Sequence, residues 1–285
     1  MTTPLEHSFK SRLRNIAKEK RIDPAQLWQN LVLERFLVRL SRSPYSSNFI
    51  LKGGVLLAQY IELNRYTRDL DFLVQRISNK IPELERVLAE VIQMPIQDGF
   101  HFSELRVDPL PHIHMKYPGV RATMRSLFGK TRFAVNVDLG FGDVVTVTQR
   151  ELALTSSSKG ALFESTVEIP CYPKEFIFAE KLETVVYRKG DNSRMKDFHD
   201  LFFLVQDDTL DPFLTEQVVK KVFTHRETAL NLPIYLSDEE LLDLQRYWSA
   251  HVRGLPSSHR LPAKLISVID EINSWLLRCP LLCGW

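Results

Sequence analysis

The sequence is poor in the features that mark several broad protein classes. Only three cysteines occur in 285 residues, Cys171, Cys279 and Cys283, which is neither a disulfide framework nor a zinc-ligand pattern. Cys279 and Cys283 lie beside Pro280 near the end of the chain and read as packing residues or free thiols. No run approaches the roughly 20 apolar residues that span a bilayer. The opening MTTPLEHSFK lacks the apolar core of a secretory signal, so a reducing cytoplasm is the expected location, with no membrane partner. Internal repeats, low-complexity tracts and a recognisable serine or thiol nucleophile motif are all missing. His112 and His114 have no third His or Cys at a helpful spacing and read as ordinary strand residues. A formal net charge of +2 says little about partners.

What is present suits a folded, water-facing chain. Hydrophobic residues make up 44% and charged residues 25%, ordinary values for a globular protein with a sizeable core. The length permits one large or two modest domains. Charge is distributed unevenly. Residues 10–21 (KSRLRNIAKEKR) are strongly basic, and Lys116, Arg121, Arg125, Lys130 and Arg132 follow one another with no acid between them. Such stretches are either solvated faces or contacts to a phosphate backbone.

Periodicity divides the chain in two. Leu5, Phe9, Leu13 and Ile16 recur at helical spacing until about Arg21. Asp23-Pro24 then supplies an N-cap and a first-turn proline for a second helix, through Leu27, Leu31, Phe36 and Leu40. A short apolar run at 49–51 enters Gly53-Gly54, followed by a helix through Ile61. A strand with carboxylates at its start covers 69–74, and Pro82 opens a helix through Ile92. Strands are expected around Val107 and over 112–116, 120–127, 133–139 and 166–169. Beyond Pro173 the pattern is helical, near 175–188, 196–206, 212–225, 237–250 and 261–278. The reading is an α+β fold: a mixed-sheet domain with flanking helices over 1–172, then an all-helical domain over 173–285.

Within this frame the polar residues fall into chemically meaningful sets. Alternation puts Asp69 and Asp71 on one face of a strand while Leu70 enters the core. Adjacent carboxylates repel unless a cation sits between them, and Mg²⁺ favours a few such oxygens together with substrate phosphates. Gly53-Gly54 permits close backbone approach at a helix start, which suits either a phosphate chain or a plain strand-to-helix turn. Asn136 and Asp138 alternate with valines on another strand, so Asp138 is a candidate third acid or base. Lys181 and Arg188 share a helix face at i and i+7, followed by Arg194, Lys196, Asp197 and Asp200. Cations of this kind neutralise charge that develops in phosphoryl transfer.

The order and spacing of these pieces over about residues 49–204 resemble the AbiEii-type nucleotidyltransferase toxins of toxin–antitoxin and abortive-infection systems. Leu51-Lys52-Gly53-Gly54 with Arg65-Tyr66-Thr67-Arg68-Asp69-Leu70-Asp71-Phe72 is similar to the family's first motif. Phe178-Ala179-Glu180-Lys181-Leu182 with Arg188 looks like its second. Arg194-Met195-Lys196-Asp197-Phe198-His199-Asp200-Leu201 looks like its Lys-Asp-x-x-Asp-Leu motif. The last eighty residues match only as a helical tail. Position 54 is Gly where several members carry Ser, which removes one hydroxyl.

The resemblance implies a nucleotidyltransferase-fold domain and a helical domain with a site shared by both. It implies that Asp69 and Asp71 bind Mg²⁺ or Mn²⁺ and a nucleoside triphosphate, that Gly53 and Gly54 contact its phosphates, and that Lys181 is a catalytic phosphate contact. The late family aspartate falls on Asp197 or Asp200. Arg65, Thr67, Arg188, Arg194 and Lys196 join the nucleotide-binding set. The expected reaction is transfer of a nucleotide to an acceptor such as a tRNA 3′ end, with Asp138 or Asp200 orienting the acceptor hydroxyl. A cognate antitoxin protein is expected from the resemblance alone. Two other readings use the same residues: nucleotidylation of a protein hydroxyl, and a non-catalytic module that binds RNA or nucleotide.

Overall fold

The computed structural model describes residues 4–63, 65–110, 119–255, 260–279 and 282. The strand expected over 112–116, His112, His114, Lys116 and Cys283 lie outside them. The chain forms two compact units, one of Met1–Gln59, Tyr66–Asp143 and Val147–Tyr172, the other of Tyr60–Arg65, Val144–Thr146 and Pro173–Trp285. Two short segments that precede Pro173 thus belong to the second unit, which no single cut in the chain expresses.

The first unit opens with helices α1 (Pro4–Lys20) and α2 (Pro24–Arg42). Asp23 caps α2 as the sequence indicates, its Oδ1 accepting from the amides of Ala25 and Gln26 at 2.9 and 3.1 Å. Such a cap contributes about 1 kcal/mol. Strand β1 (Phe49–Lys52) and the five-residue helix α3 (Gly53–Leu57) follow, then β2 (Asp69–Val74), α4 (Ile81–Ile92) and β3 (Phe100–Leu110). Next come β4 (Gly119–Phe128), β5 (Thr131–Gly140), β6 (Thr148–Ala153), the small hairpin β7 (Ser156–Ser157) and β8 (Gly160–Ala161), and β9 (Thr166–Cys171). Seven strands make one mixed sheet in the order β3-β4-β5-β2-β1-β9-β6. β2 runs antiparallel to β1 and parallel to β5.

Three expectations need correction. The helix after Gly53-Gly54 stops at Leu57 rather than Ile61, and Tyr60–Arg65 joins the other unit. β3 is eleven residues long, whereas the sequence pointed only to Val107. Its register shifts between Ser103 and Arg106, with Glu104 at positive φ, and that bulge scrambles the period-two signal. β6 was not anticipated, since of its six residues only Leu152 is buried.

Alternation sorts the sheet into an apolar and a polar face. Leu70 and Phe72 of β2, and Val135, Val137 and Leu139 of β5, are buried. α2 packs on this apolar side, stacking Trp28 on Phe133 at 5.1 Å and setting Phe36 against Phe102. It also carries two buried arginines. Arg39 grips Asp98 with two bonds of 2.7 and 2.9 Å and donates to the Phe100 carbonyl at 2.8 Å. Nothing in the apolar pattern of this helix announces that pair.

The second unit holds α5 (Lys174–Arg188), α6 (Met195–Val205), α7 (Pro212–His225), α8 (Asp238–Arg253) and α9 (Leu265–Leu276). Asp211-Pro212 repeats the cap-and-proline start, and Ser237 with Glu240 forms a reciprocal capping box. Phe178 packs on Trp275, and buried Trp248 donates its indole N–H to the Pro262 carbonyl. Cys171 and Cys279 are both buried, and burial pushes the Cys171 thiol up to about 12. Among the described residues, no helix is long and apolar enough to cross a membrane.

Candidate active site

Two charged clusters contain the residues singled out by the sequence, one in each unit. The first lies on the polar face of the sheet. Register pairs Asp69 with Asn136 and Asp71 with Asp138 across β2 and β5. Asp71 is also opposite Lys52 on β1, and Asp138 is opposite Arg121 on β4. Lys52, Asp71, Asp138 and Arg121 therefore form one row across four neighbouring strands, with Asp69 one row along.

Each acid of this cluster has a distinct setting. Asn136 Nδ2 donates to Asp69 Oδ1 at 2.9 Å. Arg121 donates from Nε and Nη2 to the two oxygens of Asp138 at 2.7 and 2.6 Å. That bond to Asp138, more than any other influence, holds the guanidinium firmly protonated, with Asp69 and Asp71 adding to it. Asp71 lies against Gly53, whose φ of +71° belongs to the region glycine favours. A Cβ at Gly53 would overlap the Asp71 carboxylate, falling 2.6 Å from its Cγ. The glycine thus makes room for the acid, a local and testable reason for that residue type. Lys52 Nζ donates to Asp143 Oδ2 at 3.0 Å and stands 5.1 Å from the Tyr172 ring centroid. Gly54 is buried just behind, and Thr67, whose carbonyl accepts from Gln26 Nε2 at 3.3 Å, leads into β2.

The second cluster lies among helices. Lys181 Nζ on α5 meets Asp200 Oδ2 at 2.6 Å and Asp197 Oδ1 at 3.0 Å, both on α6. Arg65 adds a two-bond fork to Asp200, 2.7 Å on each oxygen. Burial would push the Asp200 carboxyl up, but Lys181 and Arg65 outweigh it and hold it well below the usual range. Burial likewise opposes the charge on Lys181, and Asp200 and Asp197 overcome it, so its ammonium is held above its ordinary value. Arg194 Nε sits 3.2 Å from Asp197 Oδ2 at a more exposed edge. Lys196 is exposed on α6, and Arg188, half-buried, closes α5.

His199, between the two acids on α6, was not singled out from sequence. Its Nε2 is 2.6 Å from the Leu63 carbonyl, so that nitrogen carries the proton, and Nδ1 lies 2.9 Å from His251 Nε2. Burial pushes its pKa down to about 4, so the ring is neutral. It ties the Leu63 segment, and with it the approach to Arg65, to α6.

The structure therefore joins Asp69, Asp71, Asp138, Gly53 and Gly54 in one cluster and Lys181, Asp197, Asp200, Arg65 and Arg194 in another. Two expectations change in character. Asp138 is not an open acid but has both oxygens engaged by Arg121. Arg65 is not an open cation but is committed to Asp200. Arg121, Lys52 and Asp143 were missed as neighbours: strand register brings Arg121 and Lys52 beside the acids, and Asp143 follows β5 in the segment before β6. Among the described residues, no group of three or more His, Cys, Asp or Glu is arranged to hold a metal ion.

Comparison with known proteins bears on this arrangement. The sequence pattern of the family described as nucleotidyl transferase AbiEii toxin, type IV toxin–antitoxin system, matches residues 35–269, most of the chain and both clusters. The chain belongs to the AbiEii family. AbiEii members are nucleotidyltransferase toxins of systems that pair a toxin with an antitoxin. Among solved structures the chain is similar to MenT4, a nucleotidyltransferase toxin from Mycobacterium tuberculosis, at TM-score 0.56 and 16% identity over 94% of this chain and 89% of that one. It is also similar to JHP933 from Helicobacter pylori, at TM-score 0.43 and 18% identity over 89% and 90%. The MenT4 likeness supports the nucleotidyltransferase fold. No curated protein sequence matches the chain.

Proposed function

We propose that this AbiEii-family chain transfers a nucleotide from a nucleoside triphosphate to an RNA 3′ hydroxyl, that of a tRNA, with pyrophosphate leaving. The observation that carries the reading is the side-by-side placement of Asp69 and Asp71 on the polar sheet face, with Gly53 stripped of a side chain where Asp71 lies. Two carboxylates on one strand face fit Mg²⁺ or Mn²⁺. Such ions are commonly held by one or two protein carboxylates, with substrate phosphates and water completing the shell, so no third protein ligand is required. When bound, the ion supplies charge neutralisation and polarisation at the phosphates.

The protein's own residues have separable tasks under this reading. Asp69 and Asp71 hold the ion, and Asn136 fixes the orientation of Asp69. Gly53 and Gly54 allow the phosphate chain close to the backbone. Lys181 contributes positive charge to the triphosphate, with its position set by Asp200 and Asp197. Arg188, Arg194 and Lys196 add further charge. Because both oxygens of Asp200 are engaged by cations, it serves better as an anchor for Lys181 than as a base for the acceptor hydroxyl.

Exposed cations favour RNA as the acceptor. Arg12, Arg14, Lys18 and Lys20 line the outside of α1, and Lys130 and Arg132 are exposed at the β4–β5 turn. The test is to incubate the protein with labelled triphosphates and either total RNA or total protein, and to sequence tRNA 3′ ends after expression in a host. Label in RNA with added 3′ nucleotides supports the proposal. Label confined to protein would replace the acceptor, and binding without any turnover would replace the activity.

A further inference from the structure

Three carboxylates on adjacent positions of one sheet face repel each other and demand a counter-charge. Asp71 and Asp138 are direct neighbours on strands about 4.8 Å apart, and Asp69 is two residues along. The counter-charge here is built into the next strand. Arg121, directly opposite Asp138 on β4, closes a two-bond fork on it.

This fork differs from its counterpart in the helical unit. The Arg65–Asp200 side chains are 7% and 0% exposed, whereas those of Arg121 and Asp138 are 38% and 21% exposed. Solvent reaches the Arg121 pair, and releasing it does not leave a bare charge in the core. A guanidinium fork also matches phosphate oxygens as well as it matches a carboxylate.

We propose that Arg121 is a positioning residue that stands in for a cation: it occupies Asp138 while no metal–triphosphate is bound, and hands its fork to the phosphates when one arrives. This rests on the reading of Asp69 and Asp71 as the metal–triphosphate site. Entry of a metal ion alone would displace Arg121 with nothing to receive it. Entry together with a triphosphate exchanges one two-bond contact for another and frees Asp138 beside the ion. The metal and the nucleotide therefore favour each other's binding, a coupling in which Arg121 is the shared element.

The test is a Mn²⁺ titration followed by electron paramagnetic resonance, with and without a non-hydrolysable α,β-methylene triphosphate. It uses the full chain and the variants Arg121→Ala, Arg121→Lys, Asp138→Asn and the Arg121→Ala/Asp138→Asn double. Arg121→Ala should tighten Mn²⁺ binding without nucleotide by roughly tenfold and shrink the gain that the triphosphate brings. Arg121→Lys, which keeps the charge but loses the fork, should fall between and guards against a misfolded alanine variant. In the Asp138→Asn background the Arg121→Ala effect should vanish. Unchanged or weaker nucleotide-free Mn²⁺ binding in both Arg121 variants would overturn the inference while leaving the metal site standing. Failure of the unmodified chain to bind Mn²⁺ even with triphosphate would overturn the metal site itself, and this inference with it.

Discussion

The two charged clusters are built from the same residue types and behave in opposite ways. In the helical unit, Asp200 is enclosed by Lys181 and Arg65, and these three side chains are largely out of water. In the sheet unit, among the described residues, Asp69, Asp71, Asp138 and Asp143 lie near two cations, Lys52 and Arg121, and the contacts of Asp138 and Arg121 reach solvent. A buried cluster with its central acid gripped from two sides fixes positions, whereas an accessible, acid-rich one suits the proposed binding of a cation. The proposed function gives structural work to one set of carboxylates and ligand binding to the other.

The sharpest way to break that contrast is to neutralise one acid in each. Asp200→Asn should cost about 3–5 kcal/mol in urea unfolding, because it removes the buried carboxylate that Lys181 and Arg65 both grip. Asp71→Asn should change stability by about 1 kcal/mol or less, since it relieves repulsion as it removes charge. Because the folded Asp200 carboxyl is held below its ordinary range, its contribution is present above about pH 4 and is lost as the pH falls further. The Asp200→Asn variant should lack that acid-side loss. Equal costs for the two substitutions would erase the distinction.

A smaller effect sharpens the sheet side. Gly53→Ala should cost about 1–2 kcal/mol, from its positive φ and the overlap with Asp71. It should slow transfer about 100-fold by displacing that carboxylate, read as a loss of kcat in steady-state assays. Wild-type kcat in this variant would remove the close approach from the account.

The smallest expected effect concerns His199 on the helical side. Its folded pKa of about 4 lies below the ordinary 6.5, so the unfolded chain takes up the proton first. The stability it contributes is intact above pH 6.5 and declines as the pH falls toward 4. Between pH 6.5 and 5.5, the unfolding free energy of the unmodified chain, read from urea curves, should drop about 1 kcal/mol more than that of His199→Gln. Parallel curves would mean that other groups, His251 first among them, set the slope.

Much of the fold was legible because local signals and tertiary structure agree. Asp23-Pro24, Asp211-Pro212 and the Pro82 start each mark a helix that forms, and alternation around Asp69–Val74 and Val135–Leu139 finds two central strands. β3 and β6 were harder to read, one because a bulge breaks its period, the other because little of it is buried. The site was legible as a set of residues but not as a set of partnerships. Arg121 reads as one more basic residue until register sets it opposite Asp138. Arg65 reads as a nucleotide contact until the Tyr60–Arg65 segment is seen to join the helical unit. Linear sequence spacing conveys residue type and face, and pairings between distant strands or segments arise only from the completed fold.

The central claim is nucleotidyl transfer at the Asp69–Asp71 pair. It is tested most directly by giving the protein RNA with a triphosphate labelled at either the α or the γ phosphate in Mg²⁺, beside the Asp71→Asn variant. The account predicts that α label enters the RNA, that γ label leaves with pyrophosphate, and that the variant, though folded, transfers neither. Transfer of γ label, or undiminished α-label transfer by Asp71→Asn, would contradict it.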